Sequence, residues 1–460
     1  MYKTIDKRLW GILVLIFALL LISGCSSKDS GSDGEKGKGG DNGNVKDELF
    51  VIDPSISGEI TFWAWGDAGL IYDDVIEAFN KDFPNITVKL VDGLPSGEMH
   101  DKLQTTLAAG SGAPDVSQVE QSFFARYSSG DMLADLLQPP FDAGRYEGMV
   151  SDYNWERFKS IDGKRLVGMP WDVTPGVFYY REDIYEEMGL PSDPEELGEF
   201  LQSKENVLDA ARILAANGKY MYEWRDSPAV HYGDAVGYFD SNFNWTRNDE
   251  KMAELLDFVK QGSQLDWAAQ TSVLFSDEGK QMVKQGVVAS FPAATWAARD
   301  LERSFPEQAG KWRATYMPLG LSVGLGGSAF VIPEQSQNKE AAWAWVQWIT
   351  QTETAWKLFL DDSIQPAWYH ITSLPWYQEL TNEFLGGQQD YKLYSSIDEQ
   401  IPVRRLTTLD GPAWGIYIDN VNESIDKNID SKTTLNKIED TAMRQLGDDI
   451  KKLKEELGIE

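Results

Sequence analysis

The sequence predicts an α/β protein built as two domains. Three observations carry this expectation: strand and helix patterns alternate from Gly58 onward, the same alternation resumes in the second half, and roughly 400 residues follow a polar N-terminal stretch, more than a single core usually holds. Hydrophobic residues make up 42% of the chain and aromatics 12%, enough to fill two such cores.

The N-terminal residues stand apart from that fold. Lys3, Lys7 and Arg8 form a positive region, and residues 9–22 are an apolar run interrupted only by Gly11. The run is shorter than the ~20 residues of a bilayer crossing and ends in small residues, so 1–24 reads as an export signal. The stretch Leu21-Ile22-Ser23-Gly24-Cys25 resembles a bacterial lipobox, in which the cysteine sulfur receives a diacylglyceryl group. That resemblance implies a membrane anchor on Cys25, and two acyl chains suffice for stable attachment. Cys25 is the only cysteine, so a disulfide within the chain is excluded. Residues 26–47 are Gly, Ser and charge with Val45 as their one branched aliphatic, which cannot offset its chain entropy by burial. A flexible tether is expected over 25–57.

Beyond it, Glu59-Ile60-Thr61-Phe62-Trp63-Ala64-Trp65 is a β-prone run stopped by Gly66-Asp67. Ile71, Val75, Ile76 and Phe79 then fall at helical spacing, with Pro84 as the stop. A strand over 86–91, a helix including 102–107 closed by Gly110-Ser111-Gly112, and a strand over 115–119 complete the grammar of a parallel sheet with crossover helices. Later come helical patterns over 196–217, 249–262 and 280–285, strands over 287–291 and 329–333, an amphipathic helix over 339–350 and a charged helix over 433–457. No fixed-period repeat is visible, which argues against a solenoid.

The formal net charge is −31, or −33 once the leader with Lys3, Asp6, Lys7 and Arg8 is gone. Such a surface repels phosphate backbones and argues against nucleic-acid binding, although solubility accounts for most of it. There is no G-x-S-x-G elbow, P-loop or H-E-x-x-H, and His100, His231 and His370 are far apart, so covalent and metal chemistry lack their usual parts. No cofactor and no metal is expected.

Four stretches together resemble the family 1 bacterial extracellular solute-binding proteins. They are Gly110-Ser111-Gly112-Ala113-Pro114-Asp115-Val116 with residues 130–136; Asp162 to Pro170 with Phe178-Tyr179-Tyr180-Arg181-Glu182-Asp183; Gly286 to Ser290 with Trp296; and Gly326-Gly327-Ser328 with Lys339-Glu340-Ala341-Ala342-Trp343. Two departures stand out: Arg181-Glu182 replaces the usual Asn-Lys, and Ala294 stands where the loop before Trp296 would carry Gly. The resemblance implies the type II periplasmic-binding-protein fold, two α/β lobes joined by a multi-crossing hinge and closing over ligand. Its crossings would fall near 170–176, near 317–324 and after about 374. It divides the chain into a first lobe over 58–170 and 321–374 and a second over 171–320, with C-terminal helices over 375–460 mainly on the second. It further implies a monomer that delivers a carbohydrate to the permease subunits of an ABC importer at the outer face of the cytoplasmic membrane.

A pyranose presents a face of C–H groups and an equator of hydroxyls, so a sugar site wants a flat aromatic with polar groups at its edge. In open α/β sheets such residues lie just past the strands. Strand one delivers Trp65 and Asp67, with Trp63 either core or platform and Asp67 also suited to capping the next helix. Strand three delivers Glu120, Gln121 and Ser122, which serve equally as helix caps. Trp171 and Asp172 sit at the first crossing, where Trp171 also suits hinge packing. Trp296 follows a later strand, where the family commonly stacks a sugar. Gly327 and Ser328 allow close backbone approach. Trp414 lies in a turn-rich loop, with Trp224 and Trp368 in reserve. Three alternatives stay open: a surface glycoside hydrolase, the same fold binding a polyol, glycerophosphodiester or peptide, and a receptor serving a sensor.

Overall fold

In β1, Gly58–Trp63, alternate side chains face opposite ways, and the period-2 pattern splits the strand between two apolar layers. Ile60 and Phe62 are fully buried on one face, where the Phe62 ring meets Tyr72 at 5.0 Å, Phe330 at 5.7 Å and Trp345 at 5.8 Å. Trp63 points to the other face, among Met99, Leu103 and Val119. The computed structural model describes residues 2–3, 52–66, 68–360 and 364–459. Cys25, the rest of the expected leader apart from Tyr2 and Lys3, most of the expected tether, and Asp67 lie outside the described residues. Packing begins before Gly58, because Ile52 and Ile56 already lean on the first core; the tether therefore ends earlier than position 57.

The first lobe runs β1, α1 (Gly69–Asp82), β2 (Ile86–Val91), α2 (Ser96–Ala109) and β3 (Val116–Glu120), followed by the short α3 (Asp152–Glu156) and β4 (Met169–Asp172). Strands β1, β2 and β3 are mutually parallel, as the alternation predicts. Helix α2 ends on Gly110 at φ 68°, the left-handed position that glycine fills without a Cβ penalty. The second lobe begins with β5 (Gly176–Arg181) and continues through α4 (Pro194–Phe200), α5 (Lys204–Ala216), α6 (Glu250–Gln264), β6 (Ser290–Ala294), α7 (Ala297–Ser304) and β7 (Trp312–Thr315). Strand β8 (Ser328–Val331) and α8 (Lys339–Gln351) return to the first lobe. Helices α9 (Asp390–Asp398), α10 (Asp410–Lys427) and α11 (Ser431–Leu457) complete the chain.

Two sheets carry the lobes, one of order β2-β1-β3-β8-β4 and one of order β6-β5-β7. In the first, β8 runs antiparallel between β3 and β4. In the second, β5 is antiparallel to both neighbours and every one of its residues is buried, so its sequence shows no alternation to read. Helix α11 buries Leu435, Ile438, Ala442, Leu446, Ile450 and Leu453 at three- and four-residue spacing against the second lobe.

Several local expectations are revised. The helix expected over 196–217 is two helices, because Ser203 accepts a hydrogen bond from the Asn206 N–H at 3.3 Å and starts α5 afresh. The run 287–291 is divided: Val288 bridges Tyr220, and the ladder of β6 starts only at Ser290. Helix α8 is buried on every side from Ala341 to Gln351 instead of amphipathic. Strands β4, β5 and β7 are additions to the elements expected from sequence.

Three chain crossings join the sheets side by side. Residues 173–175 pair with 323–325, Gly176 N–H donating to Val323 O at 2.8 Å and Leu325 N–H to Thr174 O at 2.9 Å. Residues 365–367 join them, Val173 N–H donating to Gln365 O at 3.0 Å and Ala367 N–H to Trp171 O at 3.2 Å. Among the described residues no helix is long and apolar enough to cross a membrane, and no group of His, Cys, Asp and Glu could hold a metal ion.

Candidate functional site

A cavity of about 610 Å³ opens where the carboxyl ends of β1 and β3 meet the hinge, inside the roughly 300–1,000 Å³ range of small-molecule sites. The first lobe and the hinge line it with Trp65, Tyr72, Gln118, Glu120, Asp172, Gly327 and Ser328, and the second lobe with Phe275, Thr295, Trp296 and Arg299. The aromatic surface divides between the two sides. Trp65 stands on the first lobe; on the second, the Trp296 ring lies 5.7 Å from Phe275, whose side chain is 71% exposed. An apolar ring left so exposed at a cavity mouth is surface available for stacking.

Polar groups at the cavity are held in fixed positions. Both the N–H and the Oγ of Ser328 donate to Asp172 Oδ1, at 2.7 and 2.6 Å. The Gln118 carboxamide donates to Ser328 Oγ at 3.0 Å and accepts from Tyr72 Oη at 3.0 Å, which locks the row. Among the described residues no hydrogen bond reaches Asp172 Oδ2. Burial pushes the Asp172 carboxyl above the usual carboxylate range, against the opposing pull of Ser328 and Arg157. Glu120 is fixed by Ser96 Oγ at 2.8 Å and Ser122 Oγ at 2.7 Å. Arg157, almost fully buried at the end of α3, ties two crossings together by donating to Gly326 O at 3.0 Å and to Asp172 O at 3.1 Å. Gly327, at φ 93°, must lack a Cβ here, since one would stand 2.6 Å from that guanidinium.

Of the residues expected at the site, Trp65, Glu120, Trp171, Asp172, Trp296, Gly327 and Ser328 line this one cavity. Trp171 does so only as floor: its ring is 3% exposed and packs against Phe330 at 5.4 Å and Phe359 at 5.3 Å, so hinge packing dominates. Trp63 is core, with the Lys102 ammonium 4.3 Å over its ring. Gln121 turns away, accepting from Tyr153 Oη at 2.6 Å and bracing the hinge. Trp414 is half-exposed within α10 and not in the turn-rich loop expected; it does not line the cavity, and neither does Trp224. Trp368 is fully buried and donates to Pro170 O at 3.0 Å.

Sequence reasoning missed Tyr72, Gln118, Phe275, Arg299 and the brace Arg157. Arg299 left a signal, because it lies three residues after Trp296 at the start of α7 and so shares its side of the turn. Phe275 left none, since no strand leads to it.

The model of the bacterial extracellular solute-binding protein family matches residues 74–383. An arabinooligosaccharide-binding protein of Halalkalibacterium halodurans is 26% identical over 381 residues, covering 77% of this chain and 82% of that protein. Among solved structures, the sugar-binding protein MalE of Xanthomonas citri superposes with a TM-score of 0.69 at 20% identity, over 85% of this chain and 98% of the other. The galacto-N-biose-/lacto-N-biose I-binding protein of Bifidobacterium longum, in complex with lacto-N-biose, gives 0.67 at 19% identity, over 85% and 98%. With its two sheets, three crossings and inter-lobe cavity, and with the family model matched over most of its length, the chain belongs to the bacterial extracellular solute-binding proteins.

Proposed function

We propose that this protein captures a sugar or short oligosaccharide between its lobes and hands it to an ABC importer, making and breaking no bond. The observation that carries this is one cavity lined by Trp65 from the first lobe and by Trp296 and Phe275 from the second, with Glu120, Asp172 and Arg299 among its polar lining. Flat rings with charged hydrogen-bonding groups at their rim match the C–H face and hydroxyl equator of a pyranose. The relatives support it: besides the arabinooligosaccharide-binding protein, a lactose-binding protein of Rhizobium radiobacter is 25% identical over 329 residues. Ligand bridging the lobes favours the closed form, since only that form touches it from both sides. Affinity of about micromolar, roughly −8 kcal/mol, suits a carrier that must also release. The same reading has the protein working as a monomer, tethered to the outer face of the cytoplasmic membrane by diacylglycerol on Cys25.

A thermal-shift screen of arabino-, galacto- and malto-oligosaccharides, followed by calorimetry and analysis of the recovered sugar, tests the function. Saturable binding with the sugar returned intact is expected; cleavage of the sugar, or stabilisation only by non-carbohydrates, overturns it. Anchoring is tested by Cys25→Ala, which is expected to move the protein from the membrane fraction to the medium.

A further inference from the structure

We infer that His100 is a positioning residue of this cleft: as the neutral imidazole it sets Trp65 and Glu120 for the ligand, and its protonation releases them. The inference rests on the carbohydrate reading of the cavity and adds a pH limit to it. His100 is fully buried on α2 and reaches three parts of the site. Its Nδ1 lies 2.7 Å from Ser96 O, which fixes the proton there, and its Nε2 accepts from the backbone N–H of Glu120 at 3.1 Å. Its ring stacks on Phe123 at 4.3 Å and lies 5.5 Å from Trp65.

The imidazolium has donors on both nitrogens, so the Glu120 N–H would meet another N–H, and turning the ring over restores nothing. The backbone of Glu120 must then move, and the indole leaning on the imidazole loses its backing. The groups facing the ring are Glu120 from β3, Asp101 on its own helix and Arg126 from the turn after β3; Arg126 pairs with Asp101 at 2.6 Å. Tyr127 Oη donates to His100 O at 2.8 Å from the same turn. Burial holds the imidazole below its ordinary 6.5, with Ser96 and Glu120 opposing and Arg126 assisting. A lowered value places proton uptake on the acid side of 6.5, so affinity is level above it and falls below it, by at most about tenfold per pH unit for one proton.

Calorimetry from about pH 8 to about pH 4.5, with whichever of arabinotriose, lactose and maltotriose the wild type binds, compares wild type with His100→Gln. The amide carbonyl of the variant can accept from Glu120 N–H but takes up no proton. Wild-type affinity is expected to fall more steeply than the variant's, by up to about tenfold per pH unit, because proton uptake elsewhere in the cleft, as at Asp172, acts on both proteins alike. Parallel profiles overturn the inference. In unliganded wild type, ¹⁵N spectra should show the Nδ1–H tautomer at neutral pH and a Trp65 indole resonance that shifts at the His100 midpoint. A Trp65 signal that stays fixed while His100 protonates also overturns it. Failure of all three sugars to bind counts against the carbohydrate reading, and the spectra then decide the role of His100 on their own.

Discussion

Two tryptophans two residues apart or two lobes apart do different work according to what surrounds them. Trp296→Ala is expected to weaken sugar binding more than tenfold in calorimetry while lowering the melting temperature less than a core truncation does, because its ring is only partly buried, resting on the core on one side and meeting Phe275 at the cavity mouth. Trp63→Ala should do the reverse and lower stability by roughly 3–5 kcal/mol in denaturant titration, because that indole fills a packed layer. At this scale the sequence was legible where a strand aims a residue past its end, as for Trp65, Glu120 and Trp296. It was illegible for Gln121, since whether a carboxamide turns to ligand or to Tyr153 depends on a residue 32 positions further on. Asp172 and Ser328 were each expected at the site, but their mutual bond spans 156 positions and no local pattern announces it.

Among elements, α9 is fastened to α3 by a buried carboxylate. Asp398 accepts from Asn154 Nδ2 at 3.0 and 3.1 Å, and burial pushes its pKa up to about 6 despite Arg157 and Ser151. A carboxyl raised from 3.8 to about 6 binds more protons folded than unfolded in between, so its contribution to stability grows as pH falls through about 6. Asp398→Asn removes that gain: relative to wild type it should look best near neutral pH and worsen by about 2 kcal/mol by pH 4, read from paired melting curves. Gly324 in the second crossing is a second such joint. A Cβ there would stand 2.0 Å from Tyr153 Oη, so Gly324→Ala is expected to lower the melting temperature by several degrees, and a variant that melts like wild type refutes the tight contact. The long patterns of α1 and α11 were readable because each buries one stripe. Strands β4 and β5 were not, since Pro170 inside β4 lacks the N–H a ladder uses and β5 is buried on both faces.

For the whole molecule, the proposed closure would turn the lobes about the paired crossings. Small-angle scattering is expected to show the radius of gyration contracting as sugar saturates the protein, and an unchanged value at saturation would count against closure. The division into two units was legible from length and alternation, whereas the exchange of strands between lobes, with 321–374 back in the first, followed only from the family resemblance, because pairing partners leave no local pattern. That exchange bears on how the chain is born. Of the five strands in the larger sheet, β8, which sits between β3 and β4, is the last to leave the ribosome. Until residues 328–331 emerge, β4 has no neighbour and β3 is an open edge, so nearly three-quarters of the polypeptide is synthesised before that lobe can set. A nascent chain so late to harden stays threadable, which suits a protein bound for export.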